Sequence, residues 1–291
     1  MPIAKTKGAS PRIKSEHSEE GEGARDILMV GSVEKAFRVL SAFDEQHRTL
    51  SLTELADVID LDRSATQRFA HTLTKLGYLR KDAASKRFEL TAKLLSFGSH
   101  YVRASALVER AMPYLMHLSK QTEETVNLTV LDDTEIVFVA RFLSRHVLNN
   151  DVVVGTRLPA YCTAPGIAML SRLPRDEALG ILDRSELRAY TPHTTRSVSA
   201  LIAKIKSAAS AGFAVQFEEY FHGDMSIAAA VLDSAGRPVG AVNLAVSTSR
   251  YSPPELEKRF ASLVVATGHS MSTHMGEPTG QSARHRSKQR A

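Results

Sequence analysis

Three apolar stripes of helical period lie within fewer than fifty residues after Ser32, and two short strand patterns follow them at once. Few folds accept that succession. Ser32 starts the first stripe, with Val33, Ala36, Phe37 and Leu40 at i, i+3, i+4 and i+7, and Phe43 extends it. Ser51 and Glu54 have the spacing of a capping box, and Leu52, Leu55, Ala56 and Ile59 repeat the helical period behind it. After the polar turn Asp60-Leu-Asp62, Asp62 or Ser64 can cap a third helix that runs to Leu76, where Gly77 stops it. Tyr78 to Lys81 and Arg87 to Leu90 read as strands around a turn at 82–86. The pattern predicts a winged helix-turn-helix over 28–90, and a helical stretch over 91–105 leads the chain away from it as a linker.

The third helix presents two different faces. At about 100° per residue, Ala65, Phe69, Leu73 and Leu76 fall in one narrow sector. Ser64, Gln67, Arg68, His71, Thr74 and Lys75 fall opposite it. In a helix-turn-helix the start of this helix reaches base edges, where Arg pairs with guanine and Gln with adenine. Arg63, Ser64, Thr66, Gln67, Arg68 and His71 are the candidate DNA-reading residues, and Lys86 and Arg87 at the hairpin tip are candidates for holding phosphate. A protein-binding role for the same helix remains open at this point.

From residue 106 the rhythm changes. A helix at 107–121 precedes apolar strands at 125–131 and 135–142, joined at Asp132-Asp133, and Val152 to Val154 forms a further strand candidate. Helices follow at 163–171, 175–183 and 198–211, then strands at 213–218, 226–232 and 238–246, and a closing helix at 254–274. Helices flanking an antiparallel sheet make the chain an α+β protein of two domains, the second spanning 106–275. Residues 1–27 and 276–291 lack apolar periodicity and read as disordered tails, the second one basic. With 37 basic and 32 acidic residues the chain carries +5, which permits contact with DNA without requiring it. The single cysteine, Cys162, admits no intrachain disulfide, and neither a signal peptide nor a membrane span is visible, so the cytoplasm is the expected compartment. No metal-ligand spacing and no cofactor motif occurs.

Gly31-Ser-Val-Glu-Lys-Ala-Phe-Arg-Val-Leu40, Leu52-Thr-Glu-Leu-Ala56, Asp62-Arg-Ser-Ala-Thr-Gln-Arg68 and Leu73-Thr-Lys-Leu-Gly-Tyr78 together resemble the IclR family of bacterial transcriptional regulators. Val137-Phe-Val-Ala-Arg141, Gly155-Thr-Arg-Leu-Pro-Ala-Tyr161, Thr163-Ala-Pro-Gly166, Thr191-Pro-His193 and Gly236-Arg-Pro-Val-Gly240 continue the likeness in the family's order. Leu158-Pro-Ala-Tyr-Cys-Thr163, Met225-Ser-Ile-Ala-Ala229 and Ala241-Val-Asn-Leu244 look most like its branch governing aromatic-acid catabolism, the protocatechuate, 4-hydroxybenzoate and β-ketoadipate regulators. The resemblance implies a GAF-like effector domain behind the winged domain and a homodimer or tetramer on a palindromic double-stranded operator.

It also implies an effector site at Thr163, Ala164 and Pro165, along 216–226, and at Asn243 and Ala245. Where relatives that bind small oxoacids resemble one another in an acidic residue, a cysteine and two serines, this chain has Gln216, Ser226, Asn243 and Ala245. That difference argues against a glyoxylate-like ligand. A helix start near Thr163 offers free N–H donors to an organic acid, and Tyr161, Phe217, Tyr220 and Phe221 are candidate ring contacts. Arg157 is a candidate carboxylate clamp, although an internal salt bridge suits its position better, and His193 and His222 are weaker polar candidates. A rival reading makes the chain an enzyme with Cys162 as nucleophile.

Overall fold

The computed structural model describes residues 28–146 and 152–275, with side chains up to 273, so both expected tails lie outside the described residues. The chain divides into two compact units between His100 and Tyr101.

In the first unit, α1 (Gly31–Ser41), α2 (Leu52–Ile59) and α3 (Arg63–Lys75) precede the hairpin β1 (Leu79–Lys81) and β2 (Phe88–Leu90). Local chemistry sets these boundaries. The Ser51 hydroxyl accepts from Glu54 N at 3.3 Å and the Glu54 carboxylate accepts from Ser51 N at 2.8 Å, which closes the capping box. Asp60 turns left-handed at φ 50°, and the Asp62 carboxylate then caps α3 by accepting from Ala65 N at 2.8 Å. At the far end Gly77 takes φ +80°, a region that costs other residues strain, and Tyr78 N donates to Leu73 O at 2.9 Å. Ser51→Ala is expected to lower the stability of this unit by about 1 kcal/mol, measured as a shift in its urea midpoint at unchanged slope.

Two expectations about the winged unit need correction. Val33 and Phe37 are exposed, Phe37 by 65%, because α1 turns inward the overlapping stripe of half-buried Ala36, buried Val39 and half-buried Leu40, which Phe43 continues just past its end. That stripe matches the same i, i+3, i+4, i+7 template shifted by three residues. On α3 the buried line is Thr66, Ala70 and Leu73, with Ala65 and Phe69 half-buried and Leu76 exposed. Thr66 enters the core without penalty because its hydroxyl donates to Asp62 O at 2.9 Å. Leu50 pairs with Phe88, and together with Leu55, Ile59 and Leu79 they complete the core around these helices.

After a 3-10 turn at Ala92–Leu94 comes α4 (Leu95–Ala104), which contains the division between the units. The second unit opens with α5 (Ala106–Thr122) and the strands β3 (Thr125–Asp132), β4 (Glu135–Phe142) and β5 (Arg157–Pro159). Then come α6 (Ala164–Leu170), α7 (Arg175–Arg184), α8 (Val198–Ala211), β6 (Ala214–Phe217), β7 (Asp224–Leu232), β8 (Pro238–Ser247) and α9 (Pro253–Met275). The strands form one antiparallel sheet in the order β5-β4-β3-β8-β7-β6. Val152 to Val154 is not a strand: Gly155 at φ +95° turns the chain there, Gly155 N and Thr156 O bond to Phe138, and the paired strand begins at Arg157.

The two faces of the sheet differ. Val126, Leu128, Val242, Leu244, Val246 and Ile227 pack toward α5 and α9 in an apolar core. The opposite face, next to α6, also buries polar residues: Asn127, Thr129, Asn243, Ser226 and Gln216. Burying such groups is costly unless they are paired or have a ligand to meet.

Candidate functional site

The exposed side of α3 carries Arg63, Ser64, Gln67, Arg68 and His71, extended by Thr72 and Lys75. Thr66 does not join them. It is fully buried with its hydroxyl engaged inside the helix, and this removes it from the candidate reading set.

The hairpin tip is held by Asp82, whose carboxylate accepts from Ala84 N, Ser85 N and the Ser85 hydroxyl, and Lys86 sits exposed at φ +58°. Backbone and hydroxyl donors hold the Asp82 carboxyl below its ordinary pKa. Arg87 departs from the expected phosphate role. Its guanidinium donates to Thr49 Oγ1 at 3.0 Å and Thr49 O at 2.8 Å, and pairs with Glu54 at 2.7 Å. Arg87 therefore ties the hairpin to the capping box of α2.

In the second unit a cavity, partly open to solvent, lies over the polar face of the sheet. Strand register brings its polar floor together. Arg141 pairs across with Asn127, and Asn127 with Asn243, while Ser226 lies opposite both Gln216 and Ala245. Asp224 lies at the head of β7, two residues from Ser226, and lines the same cavity. Apolar walls come from Ile136, Phe138, Val152 and Leu158, and from Tyr220 and Phe221 on the loop before β7. Thr191 and Thr194 hydroxyls pin that loop by donating to Glu218 O and Glu219 O, both at 2.6 Å, and Lys204 pairs with the buried Glu219.

Among the described residues, three floor atoms, Asn127 Oδ1, Asn243 Oδ1 and Arg141 Nε, are buried without a hydrogen bond, as is Thr129 Oγ1 on the same face of the sheet, whereas native proteins pair most such atoms. Burial pulls the Arg141 pKa below its ordinary value, and the charge of Asp224 works in the opposite direction. The Gln216 carboxamide fits best with its oxygen accepting from the Glu218 and Glu219 N–H groups, which turns its NH2 toward Ser226.

Of the expected effector residues, Thr163, Pro165, Gln216, Ser226, Asn243 and Ala245 line this cavity, as do Tyr220 and Phe221. Thr163 reaches it with its hydroxyl committed: it caps α6 through Gly166 N at 3.3 Å and donates to Pro159 O at 3.1 Å. Tyr161 and Ala164 are core residues instead. The Tyr161 hydroxyl donates to Arg188 O at 2.7 Å, and burial raises its pKa far above the usual value. Phe217 is partly exposed beside His193, whose ring pairs with Glu218 at 3.6 Å.

Arg157 makes the internal salt bridges expected of it, at 2.7 Å to Asp132 and 2.6 Å to Glu135. Burial works to lower its pKa, and those two carboxylates outweigh burial and raise it. Cys162 touches the cavity, yet burial pushes its thiol well above the ordinary pKa and the charge of Glu219 adds to the shift. A protonated thiol is a poor nucleophile.

Asn127, Arg141 and Asp224 were missed by sequence reasoning. For Asn127 and Asp224 the signal was polar residues at every second position of an apolar strand, as in Thr125-Val-Asn-Leu-Thr129 and Asp224-Met-Ser226, whereas Arg141 follows the unbroken apolar run Ile136-Val-Phe-Val-Ala140 and had none.

Residues 32–83 match the IclR helix-turn-helix domain, and residues 99–273 match the C-terminal domain of bacterial IclR transcriptional regulators. The chain is 31% identical to the Pca regulon regulatory protein of Pseudomonas putida over 241 residues, 82% of each chain. It is also 31% identical to the HTH-type transcriptional regulator KdgR of Escherichia coli, over 85% of this chain and 93% of that one. Against the p-hydroxybenzoate hydroxylase transcriptional activator of Acinetobacter baylyi it is 29% identical, over 88% of this chain and 95% of the relative. A crystal structure of a transcriptional regulator from Rhodococcus sp. RHA1 superposes with a TM-score of 0.72 at 30% identity, covering 85% of this chain and 98% of that one. Both units thus match the same family in its own order, and the chain belongs to the IclR family of bacterial transcriptional regulators.

Proposed function

We propose that this regulator reads a palindromic operator with α3 and controls a catabolic operon in response to a small aromatic acid held in the cavity of its second unit. The observation that carries the effector half is the polar floor at Asn127, Asn243 and Arg141, with atoms unpaired among the described residues, beneath apolar walls. A small-molecule site has this make-up, mostly apolar with a few convergent polar groups. Phe138, Tyr220 and Phe221 suit a ring, and the relatives named for the Pca regulon and for p-hydroxybenzoate hydroxylase support an aromatic acid. On α3, Arg63, Ser64, Gln67, Arg68 and His71 supply base-reading groups, and Lys86 supplies phosphate contact from the hairpin. The working form is a homodimer or tetramer in the cytoplasm. Among the described residues no helix is long and apolar enough to cross a membrane.

The test combines two measurements on the full chain. A panel of hydroxybenzoates and short oxoacids is screened for thermal stabilisation, and fluorescence anisotropy follows binding to DNA upstream of the protein's own operon. An aromatic acid at about a hundredfold its Kd is expected to add about 2.7 kcal/mol of stability and to change operator affinity. Effector control requires a ligand that prefers one arrangement of the oligomer. Stabilisation with no change in DNA affinity for any acid would remove the effector role. Lys86→Ala is expected to weaken specific and random DNA alike, lowering the slope of log K against log salt by about 1.

A further inference from the structure

The far end of α3 is fastened to the segment by which the chain leaves the winged unit. Three successive carbonyls there each accept a hydrogen bond from that segment: Leu76 O from Lys93 Nζ at 2.7 Å, Gly77 O from the Thr91 hydroxyl at 2.6 Å, and Tyr78 O from Thr91 N at 3.0 Å. The last carbonyls of a helix have no donor within it and stand at the negative end of its dipole, so an ammonium is a favoured partner. The Lys93 ammonium also lies 4.7 Å from the centre of the Tyr78 ring, and that ring meets Phe97 of α4 at 5.8 Å. Its stem crosses Gly77 on the side where a Cβ would project, with Cδ 3.7 Å from that point. Lys93 is exposed and lies outside the core of the unit. The Asp62 cap sets the start of α3, and these three bonds set its other end.

On the reading that α3 enters the operator, we propose that Lys93 and Thr91 are positioning residues for operator recognition, which lock the end of α3 to the base of α4 and hold its exposed face in register with the bases. Hydrogen bonds to base edges tolerate little displacement. Contacts to the uniform phosphate backbone tolerate more. Without the lock a smaller fraction of the protein holds α3 in the competent placement, and specific affinity falls with that fraction. Random DNA, bound through its phosphates, makes no such demand.

The test is fluorescence anisotropy of the full chain over a salt series, on DNA upstream of its own operon and on a random duplex of equal length. Lys93→Met keeps the length of the side chain and removes its donor. It is expected to lose about five- to tenfold on the operator, with random-DNA affinity and salt slope unchanged. Lys93→Arg still donates and still lies over a ring, and it is expected to recover most of that loss. Thr91→Val is expected to show the same operator-selective loss. Because the Thr91 hydroxyl is committed to Gly77 O, a loss there does not come from a DNA contact. A selective loss in Lys93→Met that Lys93→Arg does not recover, or that Thr91→Val does not share, would make Lys93 a direct base contact and overturn the lock. Loss on both DNAs with a salt slope smaller by about 1 would make it a phosphate contact and overturn the lock as well. Parental operator affinity in Lys93→Met, beside a selective loss in Arg68→Ala, would overturn the lock and leave α3 as the reading helix. Absence of a selective loss in both variants would overturn both readings.

Discussion

In anisotropy titrations at fixed salt, Arg68→Ala is expected to lose about 5- to 150-fold in affinity for the specific operator, and only a few-fold for random DNA. The range is that of one bidentate pair between an arginine and a guanine, about 1–3 kcal/mol of discrimination. Arg68 stands on the exposed side of α3 together with Gln67, one turn before His71. α3 is itself fixed against α1 and α2 by Ala70 and Leu73, so the loss would not come from a loosened helix. The comparison with Lys86→Ala separates two kinds of contact, since a phosphate contact sets affinity without reading sequence. Equal loss on operator and random DNA for Arg68→Ala would reassign it to the backbone. Arg87→Ala has a third signature: its partners are Thr49 and Glu54, so it should lower the stability of the winged unit before it affects DNA.

The fold was legible where capping and turn chemistry agreed with periodicity. Ser51 with Glu54, Asp62, and Gly77 each placed a helix end within a residue of its observed position. The facing of a helix was less legible. In α1 two stripes three residues apart satisfy the same template, and only packing against α2 and α3 selects Val39 over Phe37. In α3 a threonine was counted as polar although its hydroxyl can bond back to the preceding turn and leave the methyl for the core. Arg87 was misplaced for a related reason. Its partners are 33 and 38 residues earlier in the chain, and no local pattern announces them.

The candidate site was half legible. Gln216, Ser226, Asn243 and Ala245 lie on paired strands and line the cavity together. Tyr161 was drawn in by proximity in sequence to Thr163, yet the tight 3-10 turn at Ala160–Cys162 directs it into the core. Asn127, Arg141 and Asp224 reach the same floor only through the sheet order, in which β3 and β8 are neighbours although about a hundred residues separate them. Strand order of that kind is a tertiary fact that periodicity does not encode.

Gly166→Ala is expected to destabilise the second unit, although it adds one methyl group in a helix where alanine is the better former. A Cβ at Gly166 would sit 2.1 Å from Ala160 O, and that oxygen belongs to backbone, which cannot rotate away as a side chain can. Relief requires α6 to withdraw from the turn at Ala160–Cys162, and overpacking of this kind costs about 1–3 kcal/mol or more. The melting temperature of the unit should therefore fall by roughly 4–10 °C. Gly180→Ala is the matched control: it also lies inside a helix of this unit, its nearest neighbour is the Arg184 guanidinium at an ordinary 3.5 Å, and it should stabilise by about 0.5–1 kcal/mol. Withdrawal of α6 also carries Thr163 and Pro165 off the cavity wall, so Gly166→Ala protein that remains folded should bind 4-hydroxybenzoate more weakly while keeping its operator affinity. A folded variant with parental effector affinity would show that the start of α6 contributes nothing to the site.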